Sequence, residues 1–291
     1  MMDPKIIVGI EREHEARDAV ALGVELARAT GATLALAGVS DTVLGPGAHG
    51  YERVMYEETE AEVDRVATSV PADMAFTTQV VESTSAVRGL HDLAEHTDAT
   101  MLVLGPTHFG KMARALRGDV TLGMLHAAPC AVAVAPAGFA DRTGRATSVV
   151  GVAYTATAEG REALDGAVDL AERLGARLRI ITVATDPVKL YSEPAAFSGV
   201  MATIREQTAR DLEEARETVG TRVPVETAAL EGRAADRLIA ESADLDIMVM
   251  GSRGYGPARR VLLGSVSSHI VHQAACAVVV LPRGVRVPVV G

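Results

Sequence analysis

Short apolar runs alternate with longer amphipathic stretches along the whole chain. Residues 5–10, Lys-Ile-Ile-Val-Gly-Ile, form the nearly unbroken apolar run of a parallel strand covered on both faces. Residues 16–30 then carry Val20, Val24 and Ala27 at helical spacing, and Gly31 ends that helix. The same reading predicts further strands at 33–39, 74–81, 101–104 and 131–135, and helices at 51–69, 86–96 and 120–128, with a loop over 41–50. The second part predicts strands at 149–153, 178–183, 223–229, 247–250 and 277–281. Helices at 159–174, 197–219, 234–243 and 266–275 separate them. Strands alternating with helices imply an α/β fold: two tandem, open, parallel five-stranded sheets, Rossmann-like in the order 3-2-1-4-5, with helices on both faces.

The pattern occurs twice because the chain is a duplication. Residues 101–136 laid over 247–282 without a gap agree at about 14 of 36 positions. Cys130 falls on Cys276, Gly105 on Gly251, Gly118 on Gly264 and His126 on His272. Upstream, the run Ile6 to Ile10 matches Val149 to Ala153, each with one internal glycine, and Thr30-Gly31-Ala32 matches Leu174-Gly175-Ala176. The halves are expected at 1–138 and 146–291, joined by a small and polar segment over 137–146 that reads as a linker.

The strand 247–250 runs into a glycine-rich loop: Gly251, Gly254, and after a nine-residue spacer Gly264-Ser265, where the next helix opens. Free N–H groups and the positive dipole end at a helix start favour an anion, and glycine lets the backbone approach it. A phosphate cradle is one reading; a loop followed by a capped helix is the other, with Ser265 as N-cap. Position favours the cradle. In a 3-2-1-4-5 sheet the order reverses between the first and fourth strands, and ligands bind in the crevice at their carboxyl ends. The loop leaves the fourth strand there, and residues 153–157 after the first strand form the opposite wall.

These residues resemble the universal stress protein family, in its form with two domains in one chain. The family signature, Gly, two residues, Gly, nine residues, Gly-Ser or Gly-Thr, stands unbroken as Gly251, Gly254, Gly264 and Ser265. The resemblance implies ATP, with or without Mg²⁺, held by the half that keeps the signature. It puts Gly254, Gly264, Ser265 and Val266 at the phosphates and ribose, and Val183 beside the adenine. Val152, Ala153 and Tyr154 at the first strand, with Met250, Gly251 and Arg253 at the fourth, complete the candidate nucleotide-binding set. The family's aspartate at the end of its first strand is assigned here to Ala153, with backbone groups or Tyr154 replacing the carboxylate. In the first half Glu11 takes that place, but the signature is broken by His108 and Asp119. A carboxylate at the helix start repels phosphate, so a single nucleotide site, in the second half, is expected.

Charge and composition narrow the classes further. Twenty-eight Lys and Arg against 38 Asp and Glu give a net charge of −10, which opposes nucleic-acid binding. No stretch approaches the roughly 18 apolar residues of a spanning helix, and a soluble cytoplasmic protein without membrane contact is expected. Two cysteines in no CxxC pair read as small core residues. His269 and His272 lack companions for a metal set, and no metal site is expected. Neither a Walker A lysine nor kinase motifs are present, so a regulatory module that responds to ATP is favoured over rapid chemistry. A slow ATPase or autophosphorylating activity and a dimerising scaffold without nucleotide remain the alternatives. Pairing of the two fifth strands within the chain, a homodimer of the whole chain and an unidentified regulatory protein partner complete the expectations.

Overall fold

A computed structural model describes residues 4–11, 13–42, 49–106, 120–142, 146–185, 194–252 and 265–282. The first half contains β1 (Lys5–Ile10), α1 (Glu13–Thr30), β2 (Thr33–Asp41), α2 (His49–Ala67), β3 (Phe76–Ser83), α3 (Ala86–His96), β4 (Met101–Leu104), α4 (Val120–Ala127) and β5 (Ala131–Val134). The second contains β6 (Val149–Ala153), α5 (Ala158–Leu174), β7 (Arg177–Ala184), α6 (Pro194–Val219), β8 (Val225–Glu231), α7 (Ala234–Glu241), β9 (Ile247–Gly251), α8 (Ser265–Gln273) and β10 (Ala277–Leu281). Strand ends moved by a residue or two where local bonding intervened. Met74, read as the start of β3, instead closes a turn by donating its N–H to the Pro71 carbonyl at 3.0 Å.

Each half has the expected order, β3-β2-β1-β4-β5 and β8-β7-β6-β9-β10, with parallel neighbours throughout. The halves do not form two separate sheets. Antiparallel pairing of β5 with β10, Val134 opposite Val278 and Val132 opposite Val280, fuses them into one ten-stranded sheet. Each of these strands would otherwise present an unpaired edge, so fusion leaves only β3 and β8 as edges of this sheet.

The continuous apolar strands divide by parity between two cores. Ile6, Val8, Val150, Val152, Val249 and Val279 pack under α1, α2, α5 and α6. Ile7, Leu102, Met248, Met250, Val278 and Val280 pack under α3, α4, α7 and α8. Both faces are covered, which is why no polar alternation appears along these strands.

The segment between the halves is more than a tether. Residues Phe139–Arg142 form a 3₁₀ turn, Phe139 is buried, and Arg142 lies over its ring at 5.3 Å. The buried Asp18 carboxylate of α1 accepts N–H bonds from Gly138 at 2.9 Å and Ala140 at 2.8 Å. Thr147 further on bonds Glu25 of the same helix. The small, polar composition suggested free chain, but the turn's N–H groups have partners supplied by a distant element.

Candidate functional site

The site region begins where β6 and β9 end side by side, with Ala153 paired to Met250. The loop after β6 turns sharply into α5. The Tyr154 N–H donates to Ile181 O at 2.8 Å, and the Thr182 hydroxyl donates to Tyr154 O at 3.1 Å. Thr157 caps α5, its hydroxyl accepting the Gly160 N–H at 3.1 Å. Two glycines make this closeness possible. A Cβ on Gly160 would lie 1.9 Å from the Thr155 carbonyl oxygen, and one on Gly251 would lie 2.8 Å from that of Glu159. Gly251 therefore serves the packing of β9 against the first turn of α5, whatever else it approaches.

Around this junction Ala153, Val183 and Val266 are half-buried and lie against the same core as the buried Met250. They provide an apolar wall at the carboxyl ends of β6 and β7, and α8 opens at Ser265, one residue before Val266. Val152 is fully buried on the opposite face. Tyr154 is also turned into that opposite core, 3% exposed. Burial pushes its phenol above the usual range; Arg161 opposes the rise while Glu214 and Asp211 add to it. What Tyr154 offers the crevice is backbone rather than a ring. Arg253, Gly254 and Gly264, with His108, Gly118 and Asp119 of the first half, lie outside the described residues, as does the side chain of Ser265.

Strand pairing corrects the internal alignment of the repeat at this point. Lys5 pairs with Thr33 as Val149 pairs with Arg177, and Ile6 pairs with Met101 as Val150 pairs with Ile247. Ile6 therefore corresponds to Val150, two positions later than laying Gly9 over Gly151 would place it. Gly9 corresponds to Ala153, Ile10 to Tyr154 and Glu11 to Thr155. Both Ile10 and Tyr154 are buried in the same core, as their parity requires. The glycines misled because a large and a small residue have changed places. A Cβ on Gly151 would lie 2.4 Å from Leu245, whereas the first half carries Ile7 and Ala99 at the matching positions.

The residue equivalent to Glu11 in the repeat is thus Thr155, exposed, with its hydroxyl 3.3 Å from that of Thr157. Sequence reasoning passed over it. Counting back unchanged from the Gly31 and Gly175 helix ends would have found it.

The opposite rim of the second half is polar. Asp246, just before β9, is buried and accepts N–H bonds from Ser148 at 2.8 Å and Val149 at 3.1 Å, the Ser148 hydroxyl at 3.0 Å, and an ion pair from Arg142. Burial pushes its pKa up, but those hydrogen bonds and Arg142 outweigh it and hold the carboxyl below its ordinary value. Cys130 and Cys276 are buried, and burial pushes both thiols up to about 12. No helix among the described residues is long and apolar enough to cross a membrane.

A doubly wound sheet whose strand β9 ends on a glycine beside β6, where the strand order reverses, defines a class of α/β folds, and sequence comparison makes the class specific. The sequence model of the universal stress protein family matches residues 2–136 and again 147–282. The chain belongs to that family. A universal stress protein of Mycobacterium tuberculosis is 30% identical over 204 residues, 68% of this chain and 69% of that one. A shorter universal stress protein from Thermus aquaticus is 33% identical over 135 residues, 45% of this chain and 95% of its own length. Among solved structures, a universal stress protein from Archaeoglobus fulgidus covers 96% of both chains with a TM-score of 0.68 at 19% identity, a likeness of fold.

Proposed function

We propose that the second half binds ATP, with or without Mg²⁺, in the crevice between the carboxyl ends of β6 and β9, and that occupancy makes the chain a regulatory module in a stress response. The observation that carries this reading is the uninterrupted Gly251, Gly254, Gly264, Ser265 signature leaving β9 beside β6, where the strand order reverses. In the proposed complex, Gly254, Gly264 and the opening N–H groups of α8 at Ser265 and Val266 hold the phosphates, with Arg253 as a cationic lip. Ala153, Val183 and Met250 form the apolar side against which the base rests, and Val152 supports it from the core. Gly251 and the Tyr154 backbone keep the two walls close. Thr155 offers a hydroxyl to the ribose where the family has a carboxylate. The first half, over 1–138, carries His108 and Asp119 in its signature and is proposed to bind no nucleotide; the second spans 146–291. A cytoplasmic protein, a homodimer of the whole chain and a regulatory protein partner belong to the same reading.

Calorimetric titration of the nucleotide-stripped chain with ATP and Mg²⁺ tests it, beside a variant combining Gly254→His with Ser265→Asp. One site per chain, lost in the variant, is expected. No binding by the wild type would favour a dimerising scaffold, and two sites would overturn the assignment of the first half. Turnover to ADP or phosphoprotein in the same samples would favour the slow-ATPase reading instead.

A further inference from the structure

The amino ends of β6, β7 and β9 surround a cavity of about 370 Å³, at the end of the sheet opposite the glycine loop. Arg142, Ser148, Arg177, Asp244 and Asp246 are its polar lining. Not all of these charges are available to a ligand. Asp246 is already committed: Ser148, Val149 and Arg142 supply the donors described above. Arg142 donates one N–H to it, and a guanidinium carries five. Arg177 approaches Glu226 only at 3.7 Å, beyond hydrogen-bond distance. Asp244 is exposed, and its carboxylate has no side-chain ion pair among the described residues. Two guanidiniums with donors to spare therefore face the same space as one uncommitted carboxylate.

A simple anion in that space is attracted by the arginines but repelled by Asp244, and a simple cation meets the reverse. A molecule carrying both charges satisfies both. We propose that this cavity binds a small zwitterion with one carboxylate and one ammonium group, of the amino-acid class, the carboxylate between Arg142 and Arg177 and the ammonium at Asp244. The first half has no such cavity chemistry: Thr33, Pro4 and Thr100 stand where Arg177, Ser148 and Asp246 stand, and Arg142 comes from the segment joining the halves. A ligand held there would tie that segment to the base of the strand that carries the glycine loop.

The test is an NMR titration of the whole chain, without nucleotide, using 4-aminobutyrate, butyrate and butylamine as probes of equal carbon-chain length. Saturable shifts of the Ser148 and Asp246 amides with 4-aminobutyrate are expected, at an affinity at least tenfold above either singly charged probe. Arg177→Gln and Asp244→Asn, both at side chains away from the core, should each weaken that binding about tenfold while leaving the thermal midpoint in place. Absence of saturable shifts, equal binding of butyrate, or unchanged binding in both variants overturns the proposal. Because no nucleotide is present, its failure says nothing about ATP.

Discussion

The two halves share register, strand order and both core faces, yet they anchor the fourth strand differently. In the first half Thr100 enters β4 with its N–H and hydroxyl both donating to Lys5 O at 2.9 Å. In the second half Asp246 enters β9 with a buried carboxylate that gathers two backbone N–H groups, a hydroxyl and the linker's Arg142. One exchange, hydroxyl for carboxylate, turns a local strand contact into a junction where both halves and the linker meet. Duplication supplied two equal units; a few polar substitutions made them unequal.

Removing that carboxylate should give the largest effect. Asp246→Ala leaves the Ser148 and Val149 N–H groups and Arg142 without their acceptor, and should cost about 3 kcal/mol in denaturant unfolding. Thr100→Ala should cost about 1 kcal/mol, and equal losses would erase the contrast. The pH dependence follows from the lowered Asp246 pKa. A carboxyl depressed in the folded state stabilises above its unfolded value, about 3.9, and that stability is lost as pH falls through the folded value. Between neutral pH and pH 3 the wild type should therefore lose more stability than Asp246→Asn, and parallel curves would contradict the assignment.

The next contrast lies at the start of the first helix of each half. Gly160 corresponds to Ala16, which is buried without difficulty, whereas a Cβ at 160 meets the Thr155 carbonyl. Gly160→Ala should destabilise by about 2 kcal/mol and displace residues 154–157, read as a loss of amide-exchange protection there; Ala16→Gly should cost about 1 kcal/mol with no such displacement. A last contrast tests the exchange of large and small residues. Gly151→Ala should cost about 1–2 kcal/mol through contact with Leu245, and that increment should largely vanish in a Leu245→Ala background. Additive losses would mean that the two positions do not share space.

Much of this arrangement was legible in the chain. Strands at 149–153 and 277–281 match their observed bounds, because uninterrupted Val-rich runs flanked by polar turns leave little choice. The fusion of β5 with β10 was legible only as an opportunity, since edge pairing depends on where the halves come to lie. The alignment at Gly9 and Gly151 shows the opposite failure. A glycine has no side chain to report its face, and identity there outweighed the parity that Ile10 and Tyr154 obey. Nor did composition reveal the buried Asp18 and Phe139 that fasten the linker, because the partners of its N–H groups are 120 residues away.

The sequence by itself determined that this chain is a duplicated α/β protein whose second half keeps an unbroken glycine signature, since periodicity, repeat spacing and glycine placement are local properties. Tertiary structure alone decided that β5 and β10 come to lie edge to edge, and that Asp246 is the buried junction of linker and sheet. Those outcomes depend on which backbone donors and which Cβ atoms meet across distant segments, and residue order carries no direct record of such meetings.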